Sequence, residues 1–423
     1  MKNIKFQVNK SEKKILLVLI LFLVFAYILF FHFFPIDLSG FTFYDYKGQW
    51  RINAIAIRGV DPYTQISISN PSIVEIGAVP KGFGTSPWGF ILGNLFYPGF
   101  LSLATAKIYF VCFSLAVLIY TSVMVYIKIK DNTFLKPFIF ALFTIVQISF
   151  WASLQSGNAG MLCCCFIIIS CLINENHPYF AGLLLAFSMI KPQSALLVCI
   201  TLLLYKKLLP LIVAAVVDLA AFIAACFMVK RTPICLLEEF LKSDIGEGKQ
   251  NCGIFNFLHS CFGLNSMITM LLSMAFCTVL TIILVLTFKK YHSDLYPTWY
   301  VYFIPCVITT FWSYSWGNEN FIHIIPCMIC FSVLFSSNNN IKTRLFALFF
   351  FFYFFFDYTI TNNLLVYCNN LIRIFSPSFA IYITNKITLK GIYDWISFFI
   401  LIISVSPLYM TKIKRIGVTK HEE

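Results

Sequence analysis

Long apolar runs, with Lys or Arg gathered at their ends, constrain this chain more than any motif in it. The runs lie near 15–34, 103–126, 137–154, 159–173, 208–229, 266–288, 298–313, 320–336, 345–361 and 391–410. An apolar helix of about 20 residues spans the hydrocarbon core of a bilayer. Backbone polar groups there find no water, so they must be satisfied within the segment or across a closed barrel. Only 12% of the residues are charged, against about 25% in soluble domains. A mean hydropathy of +0.83 points the same way. The expectation is an all-α polytopic membrane protein with about 10–12 membrane segments. A net charge of +13 would suit nucleic acid, but the basic residues flank apolar runs and build no basic soluble face. No nucleic-acid partner is expected.

Those flanking charges predict an orientation. With the N-terminus inside, the inner segments include 127–136 (Lys128, Lys130, Lys136), 206–207 (Lys206, Lys207), 289–297 (Lys289, Lys290), 337–344 (Lys342, Arg344) and 411–423 (Lys412, Lys414, Arg415). All are short or basic, as the positive-inside rule requires. The segment 174–179 is inner but not basic. The outer segments are 35–102, 155–158, 230–265, 314–319 and 362–390. The run 15–34 follows a basic start (Lys2, Lys5, Lys10) and reads as a retained first span. The whole chain, 1–423, reads as one membrane domain.

Two short runs, 180–190 and 193–205, meet at Lys191-Pro192-Gln193. Each is too short to cross a bilayer as a straight helix, which predicts a broken hairpin with its tip in a protein-lined or wet region. The run 86–101, interrupted by Pro87, Gly93, Pro98 and Gly99, predicts an interfacial or re-entrant element. Most of the fifteen cysteines sit inside apolar runs, where Cys acts as a small hydrophobe. Cys252 and Cys261 share one polar loop and could pair if that loop lies outside the cytoplasm.

The polar residues that remain concentrate on the outer side. Asp45 follows the first span and precedes a helix over 46–58, where Lys47, Arg51 and Arg58 form a basic stripe. Asp is a favoured N-cap, and a carboxylate is also suited to accept a hydroxyl proton as a bond forms. Asp37 is the alternative carboxylate, and Asp61 before Pro62 suits a turn. Lys191, away from the inner charge clusters, has a phosphate as its natural partner; snorkelling to an interface is the structural alternative. Gln155, Asn158 and Gln193 offer donor and acceptor pairs for sugar hydroxyls or for interhelical bonding. Trp316, Asn318 and Glu319 form a further outer cluster, with Trp316 able to stack on a sugar ring. His323 reads as a packed histidine. GxGxxG, P-loop, HExxH and DxD patterns are missing from the sequence, which argues against a nucleotide or nucleotide-sugar site. No metal or cofactor is called for.

The order of these pieces resembles glycosyltransferase family 87, a family of the GT-C superfamily of membrane transferases that use polyprenyl-phosphate sugars. The resemblance runs over roughly residues 40–330. It rests on Asp45-Tyr46, Gly59-Val-Asp-Pro-Tyr63, Pro87-Trp-Gly-Phe90, Gln155-Ser-Gly-Asn158, Ile190-Lys-Pro-Gln193 and Ser313-Tyr-Ser-Trp316. It implies a GT-C-type helical bundle and inverting transfer at the outer face, with Asp45 as base and Lys191 at the carrier phosphate; the basic stripe adds Arg51 or Lys47 beside Lys191 as a further expectation. The chain departs from the family where Gln-Ser-Gly-Asn replaces Gly-Gln-x-Asn, and at Lys249-Gln-Asn-Cys-Gly253.

These readings combine into an integral protein of a bacterial plasma membrane that moves a sugar from a polyprenyl-phosphate carrier to a glycolipid or glycan acceptor outside the cytoplasm. The rivals are a lipid-linked sugar flippase, which predicts inverted repeats and charges near the midplane, and a polysaccharide polymerase or ligase. No internal repeat stands out in the sequence and charges within the apolar runs are few, Asp218 and Asp357 being the ones a flippase would have to explain.

Overall fold

The computed structural model describes residues 15–24, 43–63, 76, 85–129, 135–247, 254, 258, 262–292, 297–312, 317–335 and 341–355. Among them there is no strand, and the chain is a helical bundle. Its elements are α1 (Ile15–Val24), α2 (Tyr44–Ile57), α3 (Gly89–Leu92), α4 (Leu103–Lys128), α5 (Leu135–Ile145), α6 (Ile148–Ser156), α7 (Gly160–Ile173), α8 (Pro178–Ser188), α9 (Pro192–Leu204), α10 (Leu208–Val229), α11 (Pro233–Glu247), α12 (Ser266–His292), α13 (Phe303–Trp312), α14 (Ile324–Phe335) and α15 (Ile341–Phe355). Short 3-10 turns extend α3 and precede α13 and α14.

Four segments are long and apolar enough to cross a membrane: Leu103–Lys128, Leu135–Ser156, Leu208–Val229 and Met267–Tyr291. Their outer surfaces fit that role, with Ile108 68%, Val216 60% and Leu271 56% exposed. Apolar surface of this extent is stable only against lipid or another protein. The expected spans at 159–173, 298–313 and 320–336 are shorter helices, α7, α13 and α14. All 14 residues of α7 are buried, so this helix is surrounded by protein and its hydropathy reports a core. The Phe-rich run divides its rings: Phe351, Phe354 and Phe355 are buried, while Phe349 is exposed. Phe351 packs edge-on against Phe140 and Phe143. The expected span 391–410, the loop 362–390, Asp37, Asp357 and the Cys252/Cys261 pair lie outside the described residues.

Both ends of the bundle are identifiable from contacts. At one end Lys128 Nζ donates to the Leu172 carbonyl at 3.0 Å, Lys207 pairs with Glu175 at 3.4 Å, and Lys289 Nζ reaches the Leu204 carbonyl at 2.9 Å. Residues expected on the inner face therefore meet one another. The bases of α8 and α9 are at this end, through Glu175 and Lys207. Their junction at Met189–Lys191 reaches Asn158 at the other end. The chain rises through α8, breaks at Met189–Lys191 and returns through α9. Pro178 and Pro192 each open a helix, where a missing N–H costs nothing.

Residues 85–101 pack inward as a plug, with Phe90, Phe96 and Tyr97 buried. The plug is tied to α2 through Asn53 Nδ2, which donates to the Tyr97 carbonyl at 3.1 Å. A small second core of Ile52, Ala56, Phe90, Ala225 and Leu236 joins α2 and α3 to α10 and α11.

Candidate active site

The start of α2 is held by a glycine turn. Phe43 caps the helix with φ 44°, a left-handed conformation costly for an aromatic residue, and its N–H donates to the Gln155 carbonyl at 3.2 Å. Gly157, which ends α6, has φ +75°, and a Cβ there would stand 2.3 Å from Cβ of Tyr46. Only glycine lets α2 approach so closely. Tyr46 is fully buried and donates its hydroxyl to the Ala106 carbonyl at 2.6 Å. Burial pushes the Tyr97 phenol well above its ordinary pKa, so it stays protonated. It donates to the Gly157 carbonyl at 3.3 Å and accepts from the Ala159 N–H at 2.6 Å. These bonds fix the turn 157–159 against α2.

Three sequence-predicted residues meet there. Asn158 Nδ2 donates to Asp45 Oδ2 at 3.0 Å, and Lys191 Nζ donates to Asn158 Oδ1 at 2.8 Å. The Gly160 N–H donates to the same oxygen at 2.8 Å. Two donors at Oδ1 identify it as the carbonyl end, so the amide orientation follows from the network. Asp45 and Lys191 thus stand at opposite ends of one carboxamide. All three side chains are partly exposed. The hairpin tip carrying Lys191 is itself clamped: Trp88 Nε1 donates to the Met189 carbonyl at 2.7 Å, and Ser86 Oγ to that of Ile190 at 3.3 Å.

Asp45 is the second residue of α2 rather than its cap. The helix begins two residues earlier than 46 because Phe43 takes the capping position. A carboxylate in the first turn interacts favourably with the positive end of the helix.

The other candidates are distributed differently. Lys47 and Arg51 lie about 200–240° around the helix from Asp45, with Arg51 Nε donating to the Ile76 carbonyl at 2.8 Å. They face away from Lys191. Gln155 contributes its backbone to Phe43, and Gln193 lies in the first turn of α9. Asn318 and Glu319 belong to the 3-10 stretch Gly317–His323, with side chains outside the described set, as is the whole of Trp316. His323 is fully buried, bonded to Thr310 at 3.2 Å and packed on Phe354, as a packed histidine should be.

Asp61 performs the turn work expected and more. Its Oδ1 accepts from the Tyr63 N–H at 3.0 Å, and its Oδ2 from Arg231 Nε at 2.8 Å. The Tyr63 hydroxyl donates to the Thr85 carbonyl. The Gly-Val-Asp-Pro-Tyr loop is therefore a fastener between α2, the plug and the end of α10. Arg231 was not singled out by sequence reasoning. Its signal was available: a cation just beyond an outer helix end runs against the positive-inside pattern and needs a specific partner.

The fold and the site define a helical membrane protein with a carboxylate–amide–lysine chain at one end of its bundle. Comparison with protein-family models, with curated proteins and with solved structures finds no match to this chain.

Proposed function

We propose that this protein is an inverting glycosyltransferase of GT-C type, with about 10–12 membrane segments, that uses a polyprenyl-phosphate sugar donor at the extracytoplasmic face of a bacterial plasma membrane. The observation that carries the reading is the Asp45–Asn158–Lys191 chain. Inverting displacement needs a base on one face of the anomeric carbon and a charge-stabilising group at the leaving oxygen on the other. A carboxylate and an ammonium held apart by one amide supply that pair without neutralising each other.

In this reading the acceptor hydroxyl attacks the anomeric carbon and gives its proton to Asp45. The bond from that carbon to the phosphate oxygen breaks, and the electron pair leaves with the carrier phosphate. Lys191 stabilises the charge that develops there. Asn158 orients both groups, and its amide is positioned for exchange with sugar hydroxyls. Gln155, Gln193, Trp316, Asn318 and Glu319 are proposed for the sugar and acceptor.

The test is transfer of radiolabel from a synthetic polyprenyl-phosphate sugar to membrane glycolipid by the purified full chain. Substitution of Lys191 by Met should raise the donor requirement and lower kcat/KM by about ten- to hundredfold, the worth of one hydrogen bond to a charged group. Transport of the intact donor across sealed vesicles without transfer would instead establish a flippase. Use of a diphosphate carrier alone would establish a polymerase or ligase.

A further inference from the structure

On the side of α2 away from Asp45 the chain forms an open groove of about 660 Å³. Lys47, Arg51 and Arg58 line one wall together with Trp50, and Phe100 and Ser102 stand on the other. At 100° per residue the three cations fall within about 40° of one another. Two are held in place: Arg51 Nε donates to the Ile76 carbonyl and Arg58 Nη1 to that of Ala54, both at 2.8 Å. None of the described lining residues is acidic.

The depth of the groove follows from its second wall. Ser102 is the N-cap of α4, and its hydroxyl accepts from the Thr105 N–H. The groove therefore opens where a 26-residue apolar helix begins, and that helix turns Ile108 outward within its first two turns. That boundary is the level of lipid headgroups. Phe100 is 69% exposed on the wall of the groove, and Trp50 Nε1 is bonded to the Leu101 carbonyl. An indole, with an apolar ring and a polar N–H, favours this depth.

We infer that the groove is a binding site for the phosphate headgroup of an anionic glycerophospholipid, separate from the site around Asp45. The three cations match a phosphodiester, and a soluble anion would gain nothing from the exposed apolar wall at Phe100. The body of α2 lies between this groove and Lys191, so a lipid here does not compete for the proposed carrier position.

The experiment measures lipid retention on the full-length protein in non-ionic detergent by native mass spectrometry. Dioleoylphosphatidylglycerol and dioleoylphosphatidylcholine are titrated side by side. The wild-type protein should bind the anionic lipid about tenfold tighter or more, and this preference should shrink as NaCl rises, because exposed charges are screened. The double variant Lys47→Gln/Arg58→Gln should lose the preference, and Lys191→Met should keep it. The salt series on unmodified protein remains decisive even if the double variant folds poorly. Equal affinity for both lipids, or a preference that survives the double substitution, would overturn the inference. So would displacement of the lipid by inorganic phosphate at similar concentration, or loss of the preference in Lys191→Met. No sugar transfer is measured, so the result stands apart from the glycosyltransferase reading.

Discussion

Asn158 donates its amide to Asp45, a residue 113 positions earlier in the chain, at 3.0 Å. The bond joins the turn between α6 and α7 to the first turn of α2, and through Asn158 Oδ1 it also includes Lys191. Replacing Asn158 by Leu keeps the side-chain size and removes both contacts, together with the bond that Oδ1 accepts from the Gly160 N–H. Turnover of the radiolabelled donor should fall by about 10² or more, as expected when a positioning contact fails. Thermal stability should fall by only about 1 kcal/mol, the worth of the lost Gly160 N–H bond, because Asp45 and Lys191 have access to water. Full activity in Asn158→Leu would remove the amide from the mechanism.

The turn that carries Asn158 depends on Gly157. Alanine there must adopt φ +75° and place a Cβ 2.3 Å from Cβ of Tyr46. The conformation alone costs about 1–2 kcal/mol, and the clash adds to it. Gly263 has φ +62° with nothing within 4 Å, so Gly263→Ala should show only the conformational cost. Denaturation of the two variants in the same detergent compares them directly. Equal midpoints would mean that α2 does not sit against Gly157 as described.

The pair Asp61–Arg231 should respond asymmetrically. Asp61 is 5% exposed and Arg231 39%. Arg231→Met removes the cation that stands 2.8 Å from this buried carboxylate, at a cost of about 3 kcal/mol, the low end for a broken buried pair. Asp61→Asn leaves a guanidinium that water can reach and retains an acceptor for the Tyr63 N–H, costing about 1 kcal/mol. Thermal midpoints for the two single variants check the order, and the reverse order would show that the loop is not fastened by this pair.

The two ends of the bundle give a topology test on described residues. Ser102 caps α4 at the Asp45 end, and Asn176 follows Glu175 at the end where lysines gather; both are exposed. Single cysteines at these positions should react with an impermeant maleimide from opposite sides of sealed cells, Ser102→Cys from outside. Labelling of both from one side would invalidate the orientation on which the proposed function depends.

The sequence made the helical class, the break at Lys191 and the end-to-end distribution of lysines legible, because each follows from local hydropathy and charge. What it left hidden was set by helix phase and burial. Lys47 and Asp45 are two residues apart, yet a helix turns them to different faces, so proximity in sequence does not by itself bring Lys47 beside the carboxylate. α7 resembles a span in composition but is wholly enclosed, and only packing reveals that. Tyr97 and Arg231 act through contacts across 62 and 170 positions, which no local pattern could announce.

The remaining prediction concerns Asp45 itself. Because Phe43 is the cap, the carboxylate of Asp45 is not needed to close the end of α2. Asp45→Asn keeps an oxygen for the Asn158 amide and the shape of the side chain. It removes one favourable charge from the first turn, worth about 0.3–1 kcal/mol, so the protein should remain folded and should still bind donor. If Asp45 accepts the acceptor's proton, transfer should fall by about 10²–10⁴-fold. Asp61→Asn is the matched control: it perturbs a fastened loop in the same segment, and its loss of activity should follow its loss of stability. An active Asp45→Asn protein would end the assignment of the base, since nothing else about this isosteric change would hide the effect.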